Sequence, residues 1–169
     1  MAANRRGIAQ HWMDCAFSHS PAQIYSTGVE WARNDGYVVT DDRGRLDLPL
    51  IHRWLSEESY WAEGRAIDVV TKSIERSVSL GCFSPSGRQV GFARWVTDGA
   101  TFGWLCDVFV DDSVRGQGIG TFVVKAAIDH PEVRDVRLLL LGTRDAHELY
   151  RRVGFVEVPE PHRWMELRT

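Results

Sequence analysis

Residues 114–120 read VRGQGIG, an arginine followed by glycines at three alternate positions. Ahead of them, 101–110 is rich in aromatic and β-branched residues, the composition of a strand, and it closes on the turn formers Asp111-Asp112-Ser113. Behind them, Ile119, Phe122, Val123, Ala126, Ala127 and Ile128 recur at helical spacing until His130-Pro131 stops the run. The glycines therefore lie between a strand and a helix. Glycine lets a ligand approach the main chain, and the first amides of a helix have no internal partner and carry the positive end of its dipole. That combination suits an anion, most naturally a phosphate. The competing reading is a tight strand-to-helix turn with no ligand.

Spacing narrows the choice of phosphate ligand. A P-loop needs Gly-Lys followed by Ser or Thr at the helix start, and the nearest lysine, Lys125, comes a turn too late. A dinucleotide fingerprint needs G-x-G-x-x-G in an early strand-helix unit with an acidic residue ending the next strand. Here the pattern is G-x-G-x-G past the middle of the chain, although Asp145 does follow the next apolar strand, so this reading stays open as a rival. A third spacing, Arg115-x-x-Gly118-x-Gly120 after Val108-Phe109-Val110, resembles the acyl-CoA loop of the GCN5-related N-acetyltransferases (GNAT family). A second segment, RLLLLGTRDAHELYRRVGF at 137–155, is similar to that family's later strand, helix and terminal turn, with Leu149-Tyr150 followed by Gly154-Phe155. The two segments and the strands around them span roughly 37–167.

The resemblance implies an enzyme that moves an acetyl group from acetyl-CoA directly to a primary amine of a small molecule or peptide. It implies that Val108, Phe109 and Val110 pair with the pantetheine arm, that Arg115, Gly116, Gln117, Gly118, Ile119, Gly120 and Thr121 hold the pyrophosphate, and that the Val108 amide donates to the thioester carbonyl. Tyr150 stands where the family places its general acid, a group that stays protonated at neutral pH and can donate to the departing sulfur. Read alone, it is a tyrosine packed on a helix face. Many relatives carry asparagine where this chain has Thr143, so contacts to the cofactor arm should be altered there.

Asp107 is an acid among Leu105, Cys106, Val108 and Phe109, and burying it without purpose is costly. It is the leading candidate for the general base, and the alternative is a salt-bridged structural aspartate. In relatives the loop holding SEESYWAEG borders the acceptor site. Tyr60 and Trp61 could wall an amine pocket by cation–π contact, with Glu57, Glu58 or Glu63 attracting positive charge, or be core aromatics beside solvated glutamates. Cys106 should point to the face of its strand opposite Asp107, so no covalent intermediate is expected. Two rivals share the fold: a transferase using another acyl-CoA, and a catalytically silent acyl-CoA sensor or partner module.

Composition sets the outer limits. A chain of 169 residues suits one domain with its own core. No segment approaches the ~20 apolar residues of a membrane span, and the basic N-terminus is not followed by the apolar run of a secretory signal. A soluble, cytoplasmic protein is expected. Cys15, Cys82 and Cys106 are too few and too far apart for metal-ligand spacing and read as small apolar core residues, so no metal is expected. A net charge of −3 gives no reason to expect a nucleic-acid surface.

The elements that must carry these residues follow from periodicity and turn chemistry. The first 36 residues lack sustained periodicity and are read as an N-terminal extension that Trp12, Phe17, Tyr25 and Trp31 could pin to the domain at 37–169. The domain reads as strand 37–40, helices 48–55 and 66–77, strands 78–83, 89–97 and 101–110, helix 119–130, strand 136–141 and a helix from about 145 to 153. Final strands are expected at 155–158 and 164–167. The fold class is α/β (α+β): a single-domain, mixed and mostly antiparallel sheet with helices on both faces. The resemblance adds a splayed central pair, 101–110 and 136–141, with pantetheine between them. A homodimer is consistent with it too, since the family often pairs through C-terminal strands or helices.

Overall fold

The computed structural model describes residues 28–167. Cys15, Trp12, Phe17 and Tyr25 lie outside the described residues. Six strands form one sheet in the order of the chain: β1 Glu30–Ala32, β2 Val38–Thr40, β3 Val78–Phe83, β4 Gln89–Thr97, β5 Phe102–Val110 and β6 Leu138–Leu141. Neighbours are antiparallel except for the parallel pair β5–β6. The helices are α1 Leu48–Glu58, α2 Ile67–Glu75, α3 Ile119–Ile128 and α4 His147–Arg151.

Alternation on the strands sends side chains to two cores. On one face, Val78, Leu80, Trp95 and Leu105 pack with Val123, Val124 and Ala127 of α3, and Trp95 Nε1 donates to Ala127 O at 2.9 Å. On the other, Phe92 and Phe109, paired across β4 and β5, meet Ile51, Trp54 and Leu55 of α1 and Val70 and Ile74 of α2. The Trp54 and Phe109 rings stack with centroids 5.1 Å apart. Helix α1 starts where the sequence supplies a stop and a cap: Asp47 accepts from the Leu50 amide at 3.0 Å, and Pro49 occupies the first turn, where its missing N–H costs nothing.

Residues 30–32, left in the extension by the sequence, pair with β2 to form the sheet's first edge. Buried Asp41 holds that edge by accepting from the amides of Gly28 and Val29, each at 2.7 Å, and from His130 Nε2 at 3.2 Å. His130 Nδ1 accepts from the Glu132 amide, which makes Nε2 the protonated nitrogen of the ring.

The expected strands at 155–158 and 164–167 do not form. Gly154, at φ +100°, lets the chain turn back so that the Phe155 amide reaches Tyr150 O at 3.1 Å, and the Phe155 ring meets Tyr150 edge-on. Phe155 thus completes a helix stop in place of starting a strand. Pro159 and Pro161, which have no N–H to give a ladder, keep the following segment irregular, and Val156 is left 83% exposed.

Candidate active site

Strands β5 and β6 pair only from Phe102↔Leu138 to Leu105↔Leu141, while β5 runs on to Val110. Beyond Leu105 the two strands part, and a cleft of about 960 Å³ opens between them. Backbone direction decides which groups of β5 face it. The Asp111 amide bonds Val90 O across to β4, so the polar groups of Phe109 also turn to β4 and those of Val108 and Val110 turn to the open side. Consistent with this, Val110 O accepts from Arg115 Nε at 3.0 Å. Of the three residues expected to meet a cofactor arm through main chain, alternation leaves Val108 and Val110; Phe109 lines the cleft but commits its ring to the α1–α2 core.

A bulge sits next to that edge. From Phe92↔Phe109 to Arg94↔Cys106, β4 advances by two residues and β5 by three. Asp107, at φ +54°, is the only non-glycine with positive φ among the described residues. Bulges re-aim a strand, and aspartate is one of the few side chains that tolerate this conformation. The Asp107 side chain is 2% exposed, and its Oδ2 accepts from Arg94 Nε at 2.6 Å and Arg65 Nη1 at 2.8 Å. Among the described residues no buried polar side-chain atom lacks a partner, so Oδ1, which has none, meets the solvent of the cleft.

The glycine loop closes one end. Gly116 and Gly118 hold φ of +78° and +77°, which delivers the chain into α3 with Gly118 as its cap. The first helical bond runs from the Phe122 amide to Gly118 O, and no side chain caps the helix, so the amides of Ile119, Gly120 and Thr121 are left for a ligand. A Cβ on Gly120 would meet Leu149 and Val110 only at 3.6 Å and beyond, so the protein itself does not require glycine there. Gln117 departs from expectation. It does not line the cleft; its carbonyl accepts from Arg33 Nη1 at 3.0 Å and its side chain accepts from Tyr37 Oη at 3.3 Å, so it anchors the loop from behind. Phosphates fit the uncapped amides, and an amide-bearing arm fits the edge that β6 leaves open at Val108 and at the Val110 amide.

Tyr150 enters from α4, lines the cleft and is 9% exposed. Burial, with Tyr60 and Asp145 nearby, pushes its phenol up to about 12. The Thr143 hydroxyl accepts from the Ala146 amide at 3.0 Å and so helps shape the turn into α4, while the residue still lines the cleft.

Tyr60 and Trp61 stand at the far end, edge to face at 5.0 Å. The cation over Tyr60 belongs to the chain: the Arg144 guanidinium lies 3.6 Å from the ring centroid, and the Arg144 amide donates to Tyr60 Oη at 2.9 Å. This contact ties the loop after α1 to the loop after β6. Of the three glutamates considered, Glu58 lines the cleft and is paired with Arg53. Cys106 also lines it, and burial pushes its thiol up to about 11. Sequence reasoning missed Arg65, Arg94, Val96, Trp104, Arg144 and Arg152, all in the cleft wall. Only the direct pairing of Val96 with Trp104, two large apolar residues on a sheet face left 45% and 38% exposed, had a signal in the alternation of the two strands.

Known proteins resemble this chain in sequence and fold. Residues 78–157 match the acetyltransferase (GNAT) domain model. A crystal structure of a candidate GNAT-family acetyltransferase from Xanthomonas campestris pv. campestris is 40% identical and superposes with a TM-score of 0.75, covering 79% of this chain and 93% of that one. A Gibberella zeae protein described as a candidate acetyltransferase is 27% identical over 152 residues, 77% of this chain and 84% of its own length. A Mycobacterium tuberculosis protein crystallised with CoA shares the fold at 21% identity and a TM-score of 0.59, over 71% of this chain and 72% of that one. The chain belongs to the GNAT family of acetyltransferases.

Proposed function

We propose that the chain transfers the acetyl group of acetyl-CoA directly to the nitrogen of a primary amine on a small molecule or peptide. The observation that carries this reading is the meeting, in one cleft, of the open β5 edge, the uncapped start of α3 and the buried phenol of Tyr150. Ile119, Gly120 and Thr121 amides with Arg115 take the pyrophosphate, and Val108 and Val110 hold the arm. The Val108 amide donates to the thioester carbonyl as charge gathers on its oxygen. Tyr150 keeps its proton through neutral pH and gives it to the departing sulfur; the low-polarity surroundings that raise the phenol raise the proton affinity of the thiolate too.

Asp107, with both guanidiniums on Oδ2, acts as a positioning residue: it fixes the bulge and with it the direction of the Val108 amide. The surplus proton of the amine then leaves through water in the cleft. The test is release of CoA by purified protein against pools of primary amines, amino acids, polyamines and peptides, with Tyr150→Phe alongside. Turnover that falls in the variant while acetyl-CoA affinity holds supports the reading. Saturable acetyl-CoA binding with no turnover and no effect of the substitution describes a sensor instead.

A further inference from the structure

Resting on that reading, we propose that the acceptor carries an anionic group, a carboxylate or a phosphate, in addition to its amine, and that Arg65 and Arg94 recognise it. The two guanidiniums come from different elements, Arg94 from β4 and Arg65 from the loop between α1 and α2, and converge on the single oxygen Asp107 Oδ2. Each spends one nitrogen there. Arg94 is 12% exposed in its side chain and lines the cleft, and since no buried polar side-chain atom among the described residues is without a partner, its unbonded Nη1 and Nη2 keep access to solvent. Arg65, at 23%, likewise keeps Nε and Nη2.

Charge makes the case stronger than donor count. Around the cleft, Glu58 is paired with Arg53, Asp145 with Arg144, and Arg115 with Asp112. Asp107 is one carboxylate shared by two guanidiniums, and among the described residues neither Arg65 nor Arg94 makes a second ion pair. A half-buried cation without a counter-charge is costly, and a guanidinium presents paired donors that match the oxygens of a carboxylate or phosphate. These arginines lie beside Asp107 and Val108, away from the glycine loop, so the anion they fit belongs to the acceptor and not to the CoA phosphates. Trp61, Val96 and Trp104, exposed on the same wall, suit an apolar body between the amine and the rest of the molecule.

The test uses matched acceptors with acetyl-CoA and the full chain: phenylalanine and leucine, their neutral amides, the decarboxylated amines, and an aminoalkyl phosphate. The expected result is a kcat/KM for carboxylate or phosphate members about 30- to 100-fold above their neutral counterparts, the size of a charge-assisted contact. Comparison of the two anionic arms names the group. In Arg94→Gln and Arg65→Gln that preference collapses through KM, and Arg94→Lys restores part of it. Equal or faster turnover of neutral amines, or a preference unmoved in both variants, overturns the proposal. If no member turns over, calorimetric titration of N-acetylphenylalanine against its amide decides: selective binding of the acid, lost in Arg94→Gln, upholds it, and no selectivity overturns it. Acetyl-CoA binding is measured separately, and its absence is what overturns the transferase reading itself.

Discussion

At the end of the cleft beside the glycine loop, what the protein presents is main chain: the amides of Ile119, Gly120 and Thr121 and the edge of β5 beyond its pairing with β6. At the other end it is side chains, Arg65, Arg94, Tyr60, Trp61 and Trp104, gathered from two strands and a loop. Main-chain recognition needs only correct φ and ψ, so it suits a constant ligand and tolerates sequence change elsewhere. Side-chain recognition sets chemistry and can change one residue at a time. In the proposed reading the donor site rests on the fold, while the acceptor site rests on residues that the fold does not dictate. Asp107 and Tyr150 sit where the two ends meet.

Substitutions separate the two ends. The largest effect is expected at their junction: Tyr150→Phe should lower kcat by about 10²- to 10⁴-fold with acetyl-CoA affinity held, as loss of a general acid does. Because the acid form is the active one and burial moves the phenol to about 12, wild-type activity should show no alkaline fall from this group through pH 10, where an ordinary tyrosine would be half ionised. A descending limb near pH 8 would assign the acid elsewhere.

Next comes the bulge. Asp107→Ala strands two guanidiniums and places a β-carbon with no polar partner at positive φ, so stability should fall by about 3 kcal/mol in denaturant melts. Asp107→Asn should lose less, since asparagine tolerates that conformation and retains an acceptor oxygen. Equal losses in the two variants would mean that charge alone matters at the bulge and conformation does not.

At the donor end, Gly120→Ala should leave melting unchanged, its Cβ having room, yet weaken acetyl-CoA about tenfold by crowding the amides. Gly118→Ala, at φ +77°, should instead cost about 1–2 kcal/mol of stability, so titration and melting together tell crowding from strain. The smallest effect belongs to the acceptor end: Tyr60→Phe loses the bond from the Arg144 amide but keeps the ring under its guanidinium, so stability should change by about 1 kcal/mol or less while acceptor KM rises.

The same division explains what could be read in the sequence. Strands 78–83 and 89–97 and the glycine loop are local patterns, and the structure has them at those residues. Family resemblance added Tyr150, which the structure brings to the cleft. Arg65 and Arg94 were invisible because nothing local distinguishes an arginine bound to a buried aspartate 42 or 13 residues away from one facing solvent. Asp107 was noticed for its apolar neighbours, but its positive φ depends on a register shift between two strands. Strands 155–158 and 164–167 do not form because the helix stop at Gly154 takes up Phe155 and the two prolines that follow cannot donate to a ladder.

The most direct test of direct transfer in this cleft is a rapid-quench single turnover with radiolabelled acetyl-CoA and an accepted amine, following label on protein and product in the wild type and in Tyr150→Phe. Label is expected to pass to the amine nitrogen without residing on the protein, and the step to slow at least about a hundredfold in the variant. Label held on the protein, at Cys106 or elsewhere, or a transfer rate unchanged by the substitution, would contradict it.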